Sequence, residues 1–196
     1  LFLAANPGVD VRLAASTDYV RFADGEFDAD VVYGSPQGED IVVLPLGEEV
    51  VTPLCAPALA ASIAKPADLL EHVLIRSDNK RVRWPDWFEA NGLGTPPAHG
   101  MSFDRSFLAI AAAVDGVGVA LESTRLAQRE LARGYLIAPL LGRSVDLRYV
   151  GHTLCFPKSG SQRRMARRFA DWLLAELGEE PLQEAPEIGE SRSSSD

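Results

Sequence analysis

IVVLPLGEEVVTPLCAP, residues 41–57, stays extended far longer than an ordinary strand and is interrupted only at Pro45 and Gly47. Strands in globular proteins usually run about 5–6 residues. A second long extended run, RYVGHTLCF, covers residues 148–156. The two runs separate a middle block, about 54–150, from two outer pieces, 1–51 and 153–178. A chain that leaves one compact unit for another and returns needs two such segments side by side. The pair therefore predicts two units, with both outer pieces in one of them.

The rest of the chain alternates short strands with helices, the pattern of α/β units with mostly parallel sheets. Residues 1–5, LFLAA, read as the end of a helix closed by Asn6-Pro7-Gly8. DVRLAAS (10–16) alternates as a strand does, with Val11 and Leu13 on one face. Residues 18–27 read as a short helix or turn, ADVVYG (29–34) as a buried strand, and SPQGED (35–40) as a loop. In the middle block Pro66–Leu70 reads as a helical turn, 73–77 as a strand and 84–92 as a short helix closed by Asn-Gly. A strand over 98–103 leads to a helix over Asp104–Val114, with Phe107, Ile110, Ala111 and Val114 along one stripe. Then come a strand at 117–121, an exposed helix over Thr124–Arg133 and a brief strand at 135–138. The last helix, Ser161–Leu177, carries Met165, Phe169, Trp172, Leu173 and Leu177 on one face, with Arg163, Arg164, Arg167 and Arg168 mostly on the solvated side. From Gly178 onward the Glu-, Pro- and Ser-rich composition is that of a disordered tail, 179–196. No internal repeat is visible.

Length and composition narrow the function. With 196 residues, 46% of them hydrophobic and 24% charged, the chain has enough apolar material for one or two cores. No apolar run approaches the ~18–20 residues of a membrane span. The opening residues carry no basic leader ahead of an apolar segment, so no signal peptide is expected, and the absence of an initiating Met reads as a fragment. A net charge of −9 repels phosphate backbones and argues against direct nucleic-acid binding by this piece. Cys55 and Cys155 each sit in an apolar run, which favours buried free thiols; one bridge between them requires the two runs to be neighbours. Without a secretory signal the expected compartment is reducing and cytoplasmic.

No enzyme constellation is present. His72, His99 and His152 lack metal-ligand spacing, and GVG at 116–118 lacks the remaining glycine of a dinucleotide fingerprint and precedes a strand. There is no G-x-S-x-G elbow and no P-loop. Neither an enzyme, nor a metal, nor a cofactor is expected.

Six segments in order carry a resemblance. They are FLAANPGVDVRLAAS (2–16), FDADVVYGSPQ (27–37), LGEEVVTPLCAPALA (46–60), WPDWFEANG (84–92), SFDRSFLAIAAAVDGVGVALESTRLAQRELARGYL (102–136), and HTLCFPKSG (152–160) followed by RRFADWLLAEL (167–177). Together they resemble the effector-binding, or regulatory, domain of LysR-type bacterial transcription regulators, in the branch of the glycine-cleavage activator and the β-lactamase regulator. The resemblance implies two Rossmann-like α/β subdomains joined by two crossing strands, a periplasmic-binding-protein type II-like fold with a small-molecule effector in the cleft. Subdomain I would be 1–51 with 153–178, and subdomain II 52–152 including the hinge strands. The family's helix-turn-helix is absent from this chain, and subdomain I looks N-terminally truncated by a strand and the start of a helix. The implied partners are a small-molecule effector, a second copy in a homodimer with higher oligomers in the full-length protein, and DNA only through the missing N-terminal domain, with no membrane. The alternative is a periplasmic-type solute-binding protein of the same fold, which would carry a secretion signal or a lipid-attachment Cys.

Candidate site residues follow from strand ends and helix starts. The first backbone N–H groups of the helix after Asp104 lack internal partners, and the helix dipole makes that end positive. A carboxylate could sit there with Ser106 and Ser102 as nearby hydroxyls and Arg105 as counter-charge. Equally, Asp104 could be the N-cap and leave no room for an anion. Tyr33 and Gly34 end a strand, where the phenol is either a ligand contact or a core edge. His152 could donate to a ligand or be a partly buried structural histidine. Thr52, Pro53, Cys55, Thr153 and Cys155 lie in the extended runs and are hinge candidates. Pro53 removes a ladder donor and suggests an edge.

Overall fold

The computed structural model describes residues 2–16, 18–22, 25–34, 36, 38–160 and 163–180. The tail read as disordered lies outside these residues from 181 on, as do Ser161 and parts of the 35–40 loop. In chain order the first elements are α1 (Phe2–Ala5), β1 (Asp30–Tyr33), β2 (Ile41–Pro45), β3 (Glu48–Leu54), α2 (Pro57–Ala60), a 3-10 helix at Pro66–Glu71, and β4 (Leu74–Ser77). After them come α3 (Trp84–Ala90), β5 (Gly100–Phe103), α4 (Ser106–Val114), β6 (Val119–Ser123), α5 (Gln128–Ala132), β7 (Leu147–Val150), β8 (His152–Pro157) and α6 (Arg163–Leu177).

The chain forms two compact units. One holds the described residues up to Gly47 and from His152 onward; the other is Glu48–Gly151. The passages thus fall at 47/48 and 151/152, where the sequence reading placed them at 51/52 and 152/153. Each long extended run is split by a glycine at its passage. Gly47 has φ +79°, a left-handed conformation costly for any residue with a Cβ, and a Cβ there would collide with the Glu179 carboxylate. A Cβ at Gly151 would lie 2.6 Å from Glu49 Oε1.

In the first unit β8 is the central strand of a three-stranded sheet ordered β1-β8-β2, antiparallel on both sides. The expectation of mostly parallel sheets fails here because its strands pair across the two outer pieces in opposite directions. α6 covers the sheet. Its buried stripe is Ala166, Ala170 and Leu174 against Leu46, Leu154 and Phe156, while Phe169, Leu173 and Leu177 flank it. Alanine at the centre lets the helix axis approach the sheet, so the larger side chains that dominate the sequence stripe pack to its sides. The Phe2 ring of α1 meets Phe169 edge-on at 5.4 Å and Trp172 at 5.3 Å. The expected strand at 10–16 does not form, and Leu13 is 88% exposed. Alternation alone cannot make a strand: its N–H and C=O groups need a ladder partner, and none of the described strands supplies one.

The second unit has a five-stranded sheet ordered β5-β4-β6-β3-β7. β4 is parallel to β5 and β6, and β3 is antiparallel to β6 and β7. Side chains that alternate along each strand feed two cores. Leu74, Val119 and Leu121 join Trp84, Trp87, Phe88, Leu69 and Ile63 on one side. Ile75, Ala120 and Leu54 join Ala109, Ile110, Ala113 and Leu136 on the other. α4 therefore buries Ala109, Ile110, Ala112 and Ala113, and Phe107, expected in the buried stripe, is 66% exposed. α5 is limited to Gln128–Ala132, and the strand expected at 135–138 is a single bridge from Ile137 to Cys55.

The residues read as hinge candidates sit inside these sheets. Thr52 and Pro53 lie in β3 opposite Glu122 and Leu121, beyond the part of β3 that pairs with β7. Pro53 thus has a ladder on one side only, where a missing N–H is tolerated. Thr153 and Cys155 are in the middle of β8. Both cysteines are free and buried, so the bridge alternative is not realised. Burial pushes the Cys55 thiol up to about 11 and raises that of Cys155, which makes both poor nucleophiles. No helix among the described residues is long and apolar enough to cross a membrane.

Candidate functional site

Because β4, β5 and β6 run parallel, their carboxyl ends lie at one edge of the second sheet. Open α/β sheets place ligands at such edges. Here β4 ends at Ser77, β5 at Phe103 and β6 at Ser123. The turn after β4 is tied to the turn before α4. The Asp78 N–H donates to Phe103 O at 2.8 Å, and Asn79 Nδ2 donates to Asp104 O at 3.2 Å. Arg83 braces the same turn, with Nε donating to Lys80 O and Nη2 to Asp78 O, both at 3.1 Å.

Behind this turn lies a buried charge network. Glu122 is 0% exposed and Lys80 8%. Ser77 Oγ donates to Glu122 Oε1 at 2.5 Å, and Lys80 Nζ pairs with Glu122 Oε2 and approaches Leu121 O at 3.5 Å. Burial lowers the Lys80 pKa from its usual value, and the charges of Glu122 and then Glu49 oppose that shift. Thr52, directly across the ladder from Glu122, is fully buried, and its hydroxyl has no hydrogen-bond partner among the described residues.

The start of α4 differs from expectation in one respect. The N-cap is Arg105, with an extended backbone (φ −132°, ψ 133°), and no side chain caps the helix. Asp104 lies one residue earlier, and its Oδ2 accepts from Arg105 Nη1 at 3.3 Å, so the carboxylate is not spent on the helix N–H groups. Ser106 is the first helical residue and is half-buried. Ser102 is exposed on β5, opposite Arg76.

The first unit brings together another five of the sequence candidates. Tyr33 and His152 face each other across the β1–β8 ladder, with ring centroids 5.3 Å apart and edge-to-face. Thr153 Oγ1 donates to Gly34 O at 2.7 Å and lies 4.0 Å from Cys155 Sγ. Tyr19 OH donates to Tyr33 O at 3.4 Å. A separate cavity of about 270 Å³ in this unit is mostly apolar, lined by Phe2, Val11, Leu13, Phe27, Met165 and Phe169 among others.

Sequence reasoning named residues of the turn before α4 and, separately, Tyr33 and His152. It missed Ser77, Asn79, Lys80 and Glu122. For Glu122 a signal existed, an acidic residue ending the apolar run VGVAL; for Lys80, one cation among several in RSDNKRVR, none did.

Comparisons with known proteins identify relatives of the chain. The family model described as LysR substrate binding domain matches residues 1–178. The transcriptional regulator of helix-turn-helix type y4mQ from Sinorhizobium fredii is 62% identical over 176 residues, covering 89% of this chain and 59% of that protein. The HTH-type transcriptional regulator PerR of Escherichia coli is 47% identical over 176 residues, covering 90% and 59%. The solved effector domain of the transcriptional regulator AmpR of Pseudomonas aeruginosa superposes with a TM-score of 0.72 at 33% identity, covering 90% of this chain and 85% of that one. The chain spans 59% of the length of those two curated relatives.

Proposed function

Because the chain belongs to the LysR-type transcription regulators, as the effector-binding domain of that family, we propose that it senses a small metabolite carrying a carboxylate, an amino acid among the candidates. The relatives are regulators, so the solute-binding alternative is not carried further. One observation carries the chemistry: an uncapped helix start, Arg105–Ser106, stands at the edge where three parallel strands end. Backbone N–H groups of α4, the Ser106 hydroxyl and the positive end of the helix dipole then receive the carboxylate. Gly47 and Gly151 stand where the chain passes from one unit to the other and are the proposed hinge points.

In this reading the chain works inside a longer cytoplasmic polypeptide whose helix-turn-helix part binds DNA; the support is that the relatives are named HTH-type transcriptional regulators and that the chain spans 59% of their length. The net charge of −9 fits a piece that leaves DNA to another domain. Copies pair through exposed apolar side chains, Leu3 on α1 and Phe107 and Leu108 on α4 with Met101 on β5.

Thermal unfolding of the chain against amino acids and small carboxylates tests the proposal. A ligand at about 100 times its Kd adds about 2.7 kcal/mol, which raises Tm by roughly 5–10 °C for a protein of this size. Ser106→Ala should cut that shift while leaving the ligand-free Tm within about 1 °C, since its loss leaves no buried group unpaired. A panel without a single stabilising compound would contradict metabolite sensing.

A further inference from the structure

Beside the turn that follows β4 is a cavity of about 180 Å³, whose lining includes Ser77, Asp78, Lys80, Arg83, Trp84 and Leu121. Its inner side is apolar and fixed: Trp84 is buried and its Nε1 donates to Ile75 O at 2.9 Å. Its outer side is charged. Lys80 and Glu122 cancel as a pair, while Arg83 and Arg76, which also lines the cavity, outnumber Asp78 by one. The cavity therefore presents one net positive charge. Arg83 is held by hydrogen bonds from Nε and Nη2, and its Nη1 has no hydrogen bond among the described residues. The Lys80 ammonium has three N–H donors and two acceptors, Glu122 Oε2 and Leu121 O. Both Glu122 oxygens are already satisfied, by Ser77 and by Lys80, so an entering anion does not face a bare carboxylate.

We infer that this cavity takes a second anionic group of the effector, a small carboxylate distinct from the one received at the start of α4, held by Arg83 Nη1 and the remaining Lys80 N–H with its apolar end against Trp84 and Leu121. The inference rests on the reading of the chain as an effector-binding domain and adds two specificity-determining residues to it. Glu122 holds the ammonium in place before ligand arrives, so little reorganisation accompanies binding. A neutral isostere offers one carbonyl oxygen and no negative charge, so it forgoes the ion pairing with Arg83 and Lys80 and binds far more weakly.

The test is a titration of the chain with acetate, and separately with uncharged acetamide, at constant ionic strength, following the Trp84 indole N–H resonance. Acetate should move it saturably and acetamide should not. Arg83→Gln should weaken acetate about tenfold, the loss of one charge-assisted hydrogen bond. The double variant Lys80→Met/Glu122→Gln should keep the folded spectrum and lose the acetate response. An absent acetate response, an equal response to acetamide, or an undiminished response in both variants overturns the inference. If a metabolite found by thermal screening binds Arg83→Gln as tightly as the parent, the anion cavity is wrong while sensing stands. If acetate behaves as described and no metabolite stabilises the protein, the cavity stands and sensing fails.

Discussion

Replacing Lys80 with alanine will destabilise the second unit by about 3–5 kcal/mol, the usual cost of removing one partner from a buried ion pair. The reason is the partner left behind. Glu122 is 0% exposed and would keep only the Ser77 hydroxyl as a donor. Lys80→Met together with Glu122→Gln removes both charges and keeps the volumes, and should recover most of the loss, because apolar or neutral replacements of buried pairs are often near neutral. Trp84 and Trp87 both lie in this unit, so urea unfolding followed by tryptophan emission reads the right transition. A single-variant cost below about 1 kcal/mol would place the pair with solvated surface bridges.

The second large effect is at Trp87. It is completely buried between Trp84, at 6.0 Å, and Phe88, at 5.9 Å, in the core under α3. Trp87→Ala should cost about 3–5 kcal/mol, the range for truncating a buried aromatic. Trp87→Phe should cost less than half as much, for a reason specific to this site. The Trp87 indole N–H is buried with no hydrogen-bond partner among the described residues. Phenylalanine leaves a smaller void and also removes that unpaired donor, which offsets part of the loss. Equal costs for the two substitutions would show that the indole N–H is in fact satisfied.

What was legible in the sequence followed the strength of local signals. Pro45 and Gly47 separate β2 from β3 because one lacks a donor and the other holds a left-handed conformation. Pro at the second position and Asn-Gly after the end bracket α3. Failures came where the partner decides. Residues 10–16 alternate like a strand but lie beside no described strand that could complete a ladder. The stripe on α4 was drawn through Phe107, whereas the sheet accepts the small side chains Ala109, Ala112 and Ala113 and leaves the ring outside. Asp104 has the right chemistry for an N-cap, yet the helix starts one residue too late for it. The Lys80–Glu122 pair joins residues 42 apart and exists only because β4 and β6 are neighbours. No local pattern encodes that.

The most direct measurement is a map of backbone amide shifts as the chain is titrated with whichever carboxylate metabolite stabilises it most. Saturable shifts concentrated at Ser102–Phe107 and Ser77–Arg83 are the predicted result, since those segments close the carboxyl ends of β4 and β5. Shifts confined to the apolar cavity around Phe2, Phe27 and Phe169, with the start of α4 unmoved, would contradict the account.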